Sequence, residues 1–135
     1  MIVLDSSAVV AILRDEPAAS TLSQRLSIEA RSGRVISAAN YLEAGAVLAG
    51  RFPVARQGVA ALEAFMRLTG TTVSPVNGET AELALAARIR WGKGFGSRNG
   101  LNFGDSFAYA TAKLLDAPLL YIGDDFSITD VRSAL

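Results

Sequence analysis

Short strand-like stretches alternate along this chain with longer segments whose apolar residues recur at helical spacing. Four stretches are apolar or rich in β-branched residues, namely residues 2–4, 34–37, 71–76 and 119–122. Stretches of this length and composition are typical of buried β-strands. We therefore predict four short strands distributed over the whole chain.

The intervening segments predict helices. Pro17 suits the first helical position of one of them, Gly50 ends another, and Asn77 is a candidate N-cap for a third. We expect a short helix to close the chain and a glycine-rich loop over residues 92–100. The predicted helices cover residues 6–13, 18–31, 38–50, 54–68, 79–91 and 103–115.

Strands separated by helices indicate the α/β class, with a parallel sheet covered on both faces. The chain has 135 residues and contains no internal repeat or long linker, so we expect one domain over residues 1–135. In open sheets of this class, functional sites form outside the carboxyl ends of the strands. Polar residues at those ends are therefore the first candidates for chemistry.

Three acidic residues stand alone in long uncharged stretches. They are Asp5 in residues 1–13, Glu43 in residues 35–50 and Asp105 in residues 99–112. Burying an ionised carboxylate without a partner is so unfavourable that the group takes up a proton or finds a cation. Three such groups in one small domain suggest a shared cation, and a metal ion is the simplest one.

Composition narrows the kind of metal and the kind of chemistry. The chain contains no His and no Cys, which excludes zinc fingers, iron–sulfur ligation and Ser–His or Cys–His nucleophiles. The oxygen ligands that remain suit Mg²⁺ or Mn²⁺. The net charge is zero, so the chain is not a uniformly basic nucleic-acid binder, although a local basic patch is compatible with that balance.

Each acid also has a purely structural interpretation. Asp5 could serve solely as the N-cap of the helix that follows it. Asp105 could serve solely to complete the helix start that Asn102 caps. Glu43 could be a solvated surface residue, although Asn40, one turn earlier, could hydrogen-bond it or add a ligand oxygen. Asp124 and Asp125 follow the last predicted strand, where acidic turns are common.

Four ordered blocks of this sequence resemble the PIN-domain family, and specifically the VapC-type toxins of bacterial type II toxin–antitoxin pairs. The blocks carry Asp5, Glu43 and Asp105 in turn, and the fourth carries the acidic turn. They are MIVLDSSAVVAIL, SAANYLEAGAVL, LNFGDSFAYATAK and APLLYIGDDFSITDV. The resemblance implies a three-layer α/β/α fold with a short parallel sheet of four to five strands.

The resemblance also implies a metal-dependent endoribonuclease. Asp5 and Asp105 would hold Mg²⁺, or alternatively Mn²⁺, and Glu43 and a fourth acid would bind it, a second ion or ordered waters. Many members carry Asp-x-Asp-Phe where this chain has Gly123-Asp124-Asp125-Phe126, so either Asp could lie near the metal. We favour Asp124 as the ligand or water-binding residue and Asp125 as turn support. Water would be the nucleophile, giving 5′-phosphate and 3′-hydroxyl products. Ser6 would touch the substrate phosphate or the metal's water shell, or only start the helix.

A basic segment supplies candidate contacts to RNA phosphates. Between Glu82 and Asp105 there is no acidic residue, and four glycines flank the positive charges. We expect this segment to be a mobile flap beside the site or, alternatively, an ordinary solvated loop. Its basic residues are Arg88, Arg90, Lys93 and Arg98.

The family further implies a VapB-like antitoxin partner and a homodimer. The lightly charged first helix, with Val9, Val10, Ile12 and Leu13, suits a buried interface and suits core packing equally well. No stretch approaches the ~20 apolar residues that a membrane helix needs, and the absence of Cys permits a reducing compartment, so we expect a cytoplasmic protein.

Two other interpretations compete. Receiver domains and haloacid-dehalogenase-like phosphatases also place acids at strand ends, but Asp5 is solitary, position 7 is Ser, and no Lys follows the last strand. A catalytically silent PIN-like module that binds RNA or protein is the non-enzymatic alternative. Such a module usually lacks one of the acids, whereas Asp5, Glu43 and Asp105 are all present.

Overall fold

A computed structural model describes residues 1–28, 32–96 and 98–135 of the chain. These residues form four strands and six helices that alternate along most of the sequence. In chain order the elements are β1 (Ile2–Leu4), α1 (Ser6–Leu13), α2 (Ala19–Ile28), β2 (Arg34–Ser37), α3 (Ala38–Arg51), α4 (Ala55–Thr69), β3 (Thr71–Ser74), α5 (Gly78–Trp91), α6 (Phe103–Leu114) and β4 (Leu119–Leu120).

The strands form a parallel sheet in the order β3-β2-β1-β4. In register, Leu4 of β1 lies beside Ile36 of β2 and Leu120 of β4. The carboxyl ends of three strands therefore meet at one edge of the sheet. The residues that leave those ends, beginning with Asp5 and Ser37, are brought together there.

The core lies on both faces of the sheet. In β1, Ile2 and Leu4 belong to a cluster with the apolar sides of α1, α2, α3 and α4, whereas Val3 belongs to a second cluster formed largely by α5 and α6. Alternate strand residues point to opposite faces, so the two clusters are the two interlayer cores of an α/β/α sandwich. The α/β class, the parallel sheet and the three layers expected from the sequence are confirmed.

The first three strands and most helices agree with the predicted positions to within a few residues. The helix predicted over residues 18–31 begins at Ala19, because Pro17 lies in a turn in which Ala19 N donates to Glu16 O. Its predicted end, residues 29–31, lies outside the described residues. The last strand is shorter than residues 119–122 and comprises only Leu119–Leu120.

The prediction of a short helix at the end of the chain is wrong, since the described residues after β4 contain none. After β4 the chain makes turns in which Ser127 Oγ donates to Asp124 O at 2.6 Å and Thr129 Oγ1 donates to Phe126 O at 2.8 Å. It then returns beside β4, where Ser133 bridges to Leu119. Side-chain bonds to the backbone and pairing at the sheet edge thus replace helical hydrogen bonds.

Among the described residues, every helix is too short or too polar to cross a lipid bilayer.

Helices α3 and α4 pack closely because Gly58 has no side chain. A Cβ at this position would lie 2.4 Å from the carbonyl oxygen of Leu48 and 2.5 Å from its carbonyl carbon. Both are backbone atoms of α3, so a rotamer change cannot relieve the overlap. The contact helps to fix α3, which carries Glu43.

We expect Gly58→Ala to lower the free energy of unfolding by about 1–3 kcal/mol, because α3 and α4 must move apart. Gly50→Ala is the control, since Gly50 lies in α3 with open space around its Cβ position. That change should be neutral or should stabilise by about 0.5–1 kcal/mol through helix propensity. Urea unfolding measures both, and equal effects of the two changes would contradict the packing argument.

Candidate active site

Asp5 follows β1 directly and caps α1. Its Oδ2 accepts hydrogen bonds from Ser7 N at 3.0 Å and from Ser7 Oγ at 2.5 Å. The Ser7 hydroxyl accepts in turn from Ile122 N at 3.1 Å, which joins the segment after β4 to this carboxylate. The other carboxylate oxygen, Oδ1, is buried and has no hydrogen-bond partner among the described residues. A buried oxygen of this kind is costly unless a proton or a cation meets it.

Asp105 lies in the first turn of α6 and is buried. Its Oδ2 accepts from Asn102 N at 2.9 Å, and Asn102 Oδ1 accepts from Asp105 N at 2.8 Å. This reciprocal pair is a capping box, so the predicted cap at Asn102 is confirmed. The structural and the functional interpretation of Asp105 are compatible, because its carboxyl group also lines a cleft with Asp5.

Glu43 projects from α3 towards the same cleft and is half-buried. Ser6, at the start of α1, donates a hydrogen bond from Oγ to Glu43 Oε1. Ser6 therefore orients an acidic side chain in this structure, in addition to starting the helix. The bond connects the end of β1 with α3 across the cleft.

Asn40 does not do what we expected of it. Its fully buried side chain donates from Nδ2 to Gly104 O at 3.0 Å and is held by Ser37 at the start of α3. The expected hydrogen bond to Glu43 is therefore replaced by a contact that joins the start of α3 to the start of α6. Asn40 is also absent from the cleft lining.

The acids meet in an open cleft of about 270 Å³. Asp125 lines it, whereas Asp124 is exposed and is not among the lining residues. The structure thus brings Asp125 to the cleft and not Asp124, the acid that we favoured, while the identity of the fourth ligand stays a prediction. The other lining residues are Asp5, Ser6, Ser7, Val10, Glu43, Val47, Asn102, Asp105, Ile122 and Phe126.

A larger groove of about 530 Å³ lies between α1, α2 and α4. Its lining is mainly apolar and includes Ile12, Leu13 and Phe65. It contains none of the acids predicted for the site. The smaller cleft is therefore the candidate site, although the groove is more voluminous.

Burial raises the pKa of two of the carboxyl groups. It raises the pKa of Asp5 to about 6, against the opposing effect of the hydrogen bonds from Ser7. Burial likewise raises the pKa of Asp105 to about 7, and the negative charges of Asp5, Asp125 and Glu43 add to the increase. In the metal-free protein at neutral pH the cleft therefore retains protons on part of its carboxyl groups.

The donor set fits a hard divalent cation. It consists of carboxylate oxygens, and the unpartnered Oδ1 of Asp5 is available to such an ion. Within residues 1–28, 32–96 and 98–135, no three acidic side chains lie close enough together to hold a metal ion between them. The Glu43 carboxylate accepts a hydrogen bond from Ser6 and the Asp105 carboxylate accepts one from Asn102, so each is held by a neighbouring residue.

A family model described as "PIN domain" matches residues 2–131. The chain belongs to the PIN-domain family. Ribonuclease VapC28 of Mycobacterium tuberculosis is 42% identical to it over 134 residues, which cover 98% of this chain and 97% of that protein. Ribonuclease VapC of Mycolicibacterium smegmatis is 39% identical over 131 residues, covering 97% and 98%.

Solved structures agree on the fold. Mycobacterium tuberculosis VapC20, described as a toxin that cleaves the sarcin–ricin loop, superposes with a TM-score of 0.76 at 19% identity and covers 97% of this chain and 96% of that one. A chain of VapBC2 from Rickettsia felis, solved bound to a promoter DNA fragment, gives 0.78 at 15% identity, covering 98% and 96%. These likenesses establish the PIN fold over nearly the whole chain.

In this PIN domain the basic segment is more ordered at its base than a free flap would be. Lys93 N donates to Leu101 O at 3.0 Å, and Leu101 N donates to Trp91 O at 2.9 Å. The Arg88 guanidinium also donates to Leu101 O and lies over the Phe95 ring, 5.6 Å from its centroid. Arg88 thus holds the two sides of the loop together, a role that the sequence did not predict, and its expected contact with RNA stays a prediction.

The other three cations of the segment differ in their surroundings. The Arg90 guanidinium lies 4.5 Å from the centroid of the Trp91 ring, and Arg98 is exposed. Lys93 Nζ lies 3.5 Å from Asp125 Oδ1, at the margin of the acidic cleft. Lys93 is therefore the basic residue that the fold brings to the site.

The roles of two residues at the site were not predicted from the sequence. Ser7 bonds Asp5 and the backbone after β4, and Gly104 adjoins the Glu43 carboxylate. The doubled serine after Asp5 was a local signal for the first. The second depends on α3 and α6 lying side by side, which local sequence does not show.

We expect the metal-free protein to lose stability as the pH rises. A carboxyl group whose pKa is raised in the folded state stabilises the fold below its unfolded pKa of about 4, and this contribution disappears as the pH passes the folded value. For Asp5 and Asp105 the loss falls between about pH 4 and pH 7. Asp105→Asn keeps the cap and removes the charge, so at pH 8 in EDTA it should raise the unfolding free energy by about 1–3 kcal/mol.

Thermal unfolding at pH 5 and pH 8 checks this prediction. Asp116→Asn is the control, because Asp116 is highly exposed at the far end of α6 and its positive φ of 47° is one that Asn tolerates. The control should follow the wild type at both pH values. A gain from Asp105→Asn that is the same at pH 5 and pH 8 would contradict the electrostatic cause.

Proposed function

We propose that this PIN domain is the toxin of a VapBC-type toxin–antitoxin module and acts as a metal-dependent endoribonuclease. Its relatives at 39–42% identity are named VapC ribonucleases and are covered almost end to end. The reaction is hydrolysis of an RNA phosphodiester by water, leaving a 5′-phosphate and a 3′-hydroxyl. Mg²⁺ is the proposed cofactor, with Mn²⁺ as a substitute.

The observation that carries this proposal is the pairing of Asp5 and Asp105 in one cleft. Both are buried, both have a raised pKa, and Asp5 Oδ1 has no partner among the described residues. A fold that needed only helix caps would gain more from exposed carboxylates, since burial adds a desolvation penalty to each. A cation that binds in the cleft offsets this penalty and displaces the retained protons.

Asp5 and Asp105 would hold the ion, with Glu43 and Asp125 as further ligands or as acceptors for its waters. When bound, Mg²⁺ lowers the pKa of a water and offsets charge on the reacting phosphate. Ser6 holds Glu43 in orientation, and Ser7 holds Asp5. Asn102 keeps Asp105 in the first turn of α6, where the helix dipole favours its anionic form.

Lys93 would contact the RNA backbone next to the cleft. In the free protein it pairs with Asp125, and both side chains are partly exposed, so the pair is weak. An incoming phosphate can replace Asp125 as its partner while Asp125 turns to the ion. Arg98 extends the positive charge along the same loop.

The proposed partners are a VapB-like antitoxin and a second copy of this chain, and the proposed location is the cytoplasm. Complexes described as VapBC2 from Rickettsia felis and as a toxin–antitoxin complex from Klebsiella pneumoniae contain chains of this fold. Of the first-helix residues considered for an interface, Val9 is buried in the core, and Ile12 and Leu13 line the apolar groove. The homodimer stays a prediction, which sedimentation analysis of the isolated chain tests.

Cleavage of a mixed RNA pool tests the proposed activity. We expect wild-type protein to produce fragments with 5′-phosphate ends in Mg²⁺ or Mn²⁺ and none in EDTA. Asp5→Asn and Asp105→Asn should each lower the rate at least about 100-fold, because each removes a charged ligand from the cleft. Asp116→Asn, an acid-to-amide change outside the cleft, should keep the wild-type rate.

Fragments that persist in EDTA or in both cleft variants would show that the activity does not come from this site. A folded protein that binds Mn²⁺ and RNA yet cuts no RNA would favour the catalytically silent module instead.

The salt dependence of RNA binding tests the role of the loop. In an Asp5→Asn background, where cleavage should be at least about 100-fold slower, Lys93→Gln and Arg98→Gln should each reduce the slope of log K against log salt by about 0.7, the value for one single-strand phosphate contact. Lys113→Gln is the control, because Lys113 pairs with Asp130 in the last turn of α6. A slope that the double change Lys93→Gln/Arg98→Gln leaves unaltered would remove the loop from the RNA-binding surface.

A further inference from the structure

The Glu43 carboxylate occupies the space that a side chain at position 104 would need. A Cβ on residue 104 would lie 2.1 Å from Glu43 Oε2, 2.7 Å from Cδ and 2.9 Å from Oε1. These separations are far below van der Waals contact, so all three atoms of the carboxyl group collide with it. Among the described glycines, position 104 is the one where an added Cβ meets an acidic group.

The backbone gives no other reason for glycine here. Gly104 is the second residue of α6 and is not among the glycines with positive φ. In such a helical position Ala is more favourable than Gly, because glycine loses more backbone freedom on folding. Glycine therefore destabilises the helix at this position, and what it provides is space for the Glu43 carboxylate.

The surroundings prevent the two helices from simply moving apart. The Asn40 side chain, fully buried in α3, donates to the carbonyl oxygen of Gly104 itself at 3.0 Å. On its other side, the Glu43 carboxylate accepts from Ser6 Oγ. Glu43 is thus confined between α1 and the first turn of α6, and the flexible end of its side chain is what must yield to any added atom.

We propose that Gly104 is a positioning residue for Glu43, which by lacking a side chain lets that carboxylate lie against the start of α6 next to Asp105. This inference deepens the proposed function and rests on it for the consequence that cation binding depends on Gly104. The steric relation between residues 43 and 104 is independent of any activity.

The first test uses the metal-free protein in EDTA. Urea unfolding midpoints are compared for Gly104→Ala in the wild-type background and in a Glu43→Asp background, where the shorter side chain leaves room for the methyl group. We expect Gly104→Ala to raise the midpoint clearly in the Glu43→Asp background and to raise it less, or lower it, in the wild type. Gly78→Ala is the control, since Gly78 is the first residue of α5 with open space around its Cβ position, and its effect should be the same in both backgrounds.

The second test measures Mn²⁺ affinity by calorimetry and RNA cleavage on the same variants. Gly104→Ala should weaken Mn²⁺ binding and slow cleavage about 10- to 100-fold, the range found when groups that orient metal ligands are altered. In the Glu43→Asp background the same change should add little, because Glu43 is no longer there to be displaced. Gly78→Ala should match the wild type in both measurements.

The outcomes separate this inference from the proposed function. Equal midpoint shifts from Gly104→Ala in the two backgrounds would overturn the positioning role, whatever the protein catalyses. Wild-type Mn²⁺ affinity in a folded Gly104→Ala protein would also overturn it. A wild type that neither binds Mn²⁺ nor cuts RNA, with the midpoint coupling still present, would refute the proposed function and leave the steric relation established.

Discussion

The burial of the Asp5 carboxylate at the end of β1 is the constraint on which the rest of the site depends. β1 lies between two other strands and is covered on both faces, so the residue that follows it emerges into a packed interior. A charge there must be compensated locally. Ser7 compensates one oxygen by two hydrogen bonds, and the other oxygen stays unpartnered among the described residues.

The neighbouring helices place two further acidic side chains beside Asp5. Glu43 and Asp105 come from helices that start near the same sheet edge, and each adds negative charge to a cleft in which burial already raises the pKa of Asp5 and Asp105. Such an arrangement opposes folding in the absence of a cation and favours the binding of one. The proposed cation binding would therefore come at a cost to the stability of the metal-free fold.

The contact between α3 and α6 sets the geometry of this arrangement. Asn40 ties the two helix starts together, and Gly104 leaves room for Glu43 between them. Gly58 does the same for the packing of α4 on α3 through a close approach of backbone to backbone. Residues that bear no charge therefore decide how close the charged ones lie.

Local sequence determined the elements and the principal acids. Strand and helix periods are properties of neighbouring residues, and the isolation of Asp5, Glu43 and Asp105 in uncharged stretches is visible without a fold, as is the cap at Asn102. The tertiary structure alone decided that Asp125 and not Asp124 faces the cleft, that Asn40 bonds Gly104 and not Glu43, and that Arg88 holds a loop together while Lys93 reaches the site. It also replaced the expected closing helix by turns that return to β4. These outcomes depend on which segments distant in sequence lie side by side, and hydrogen-bonding and steric partners across such contacts leave no period or spacing in the sequence from which to predict them.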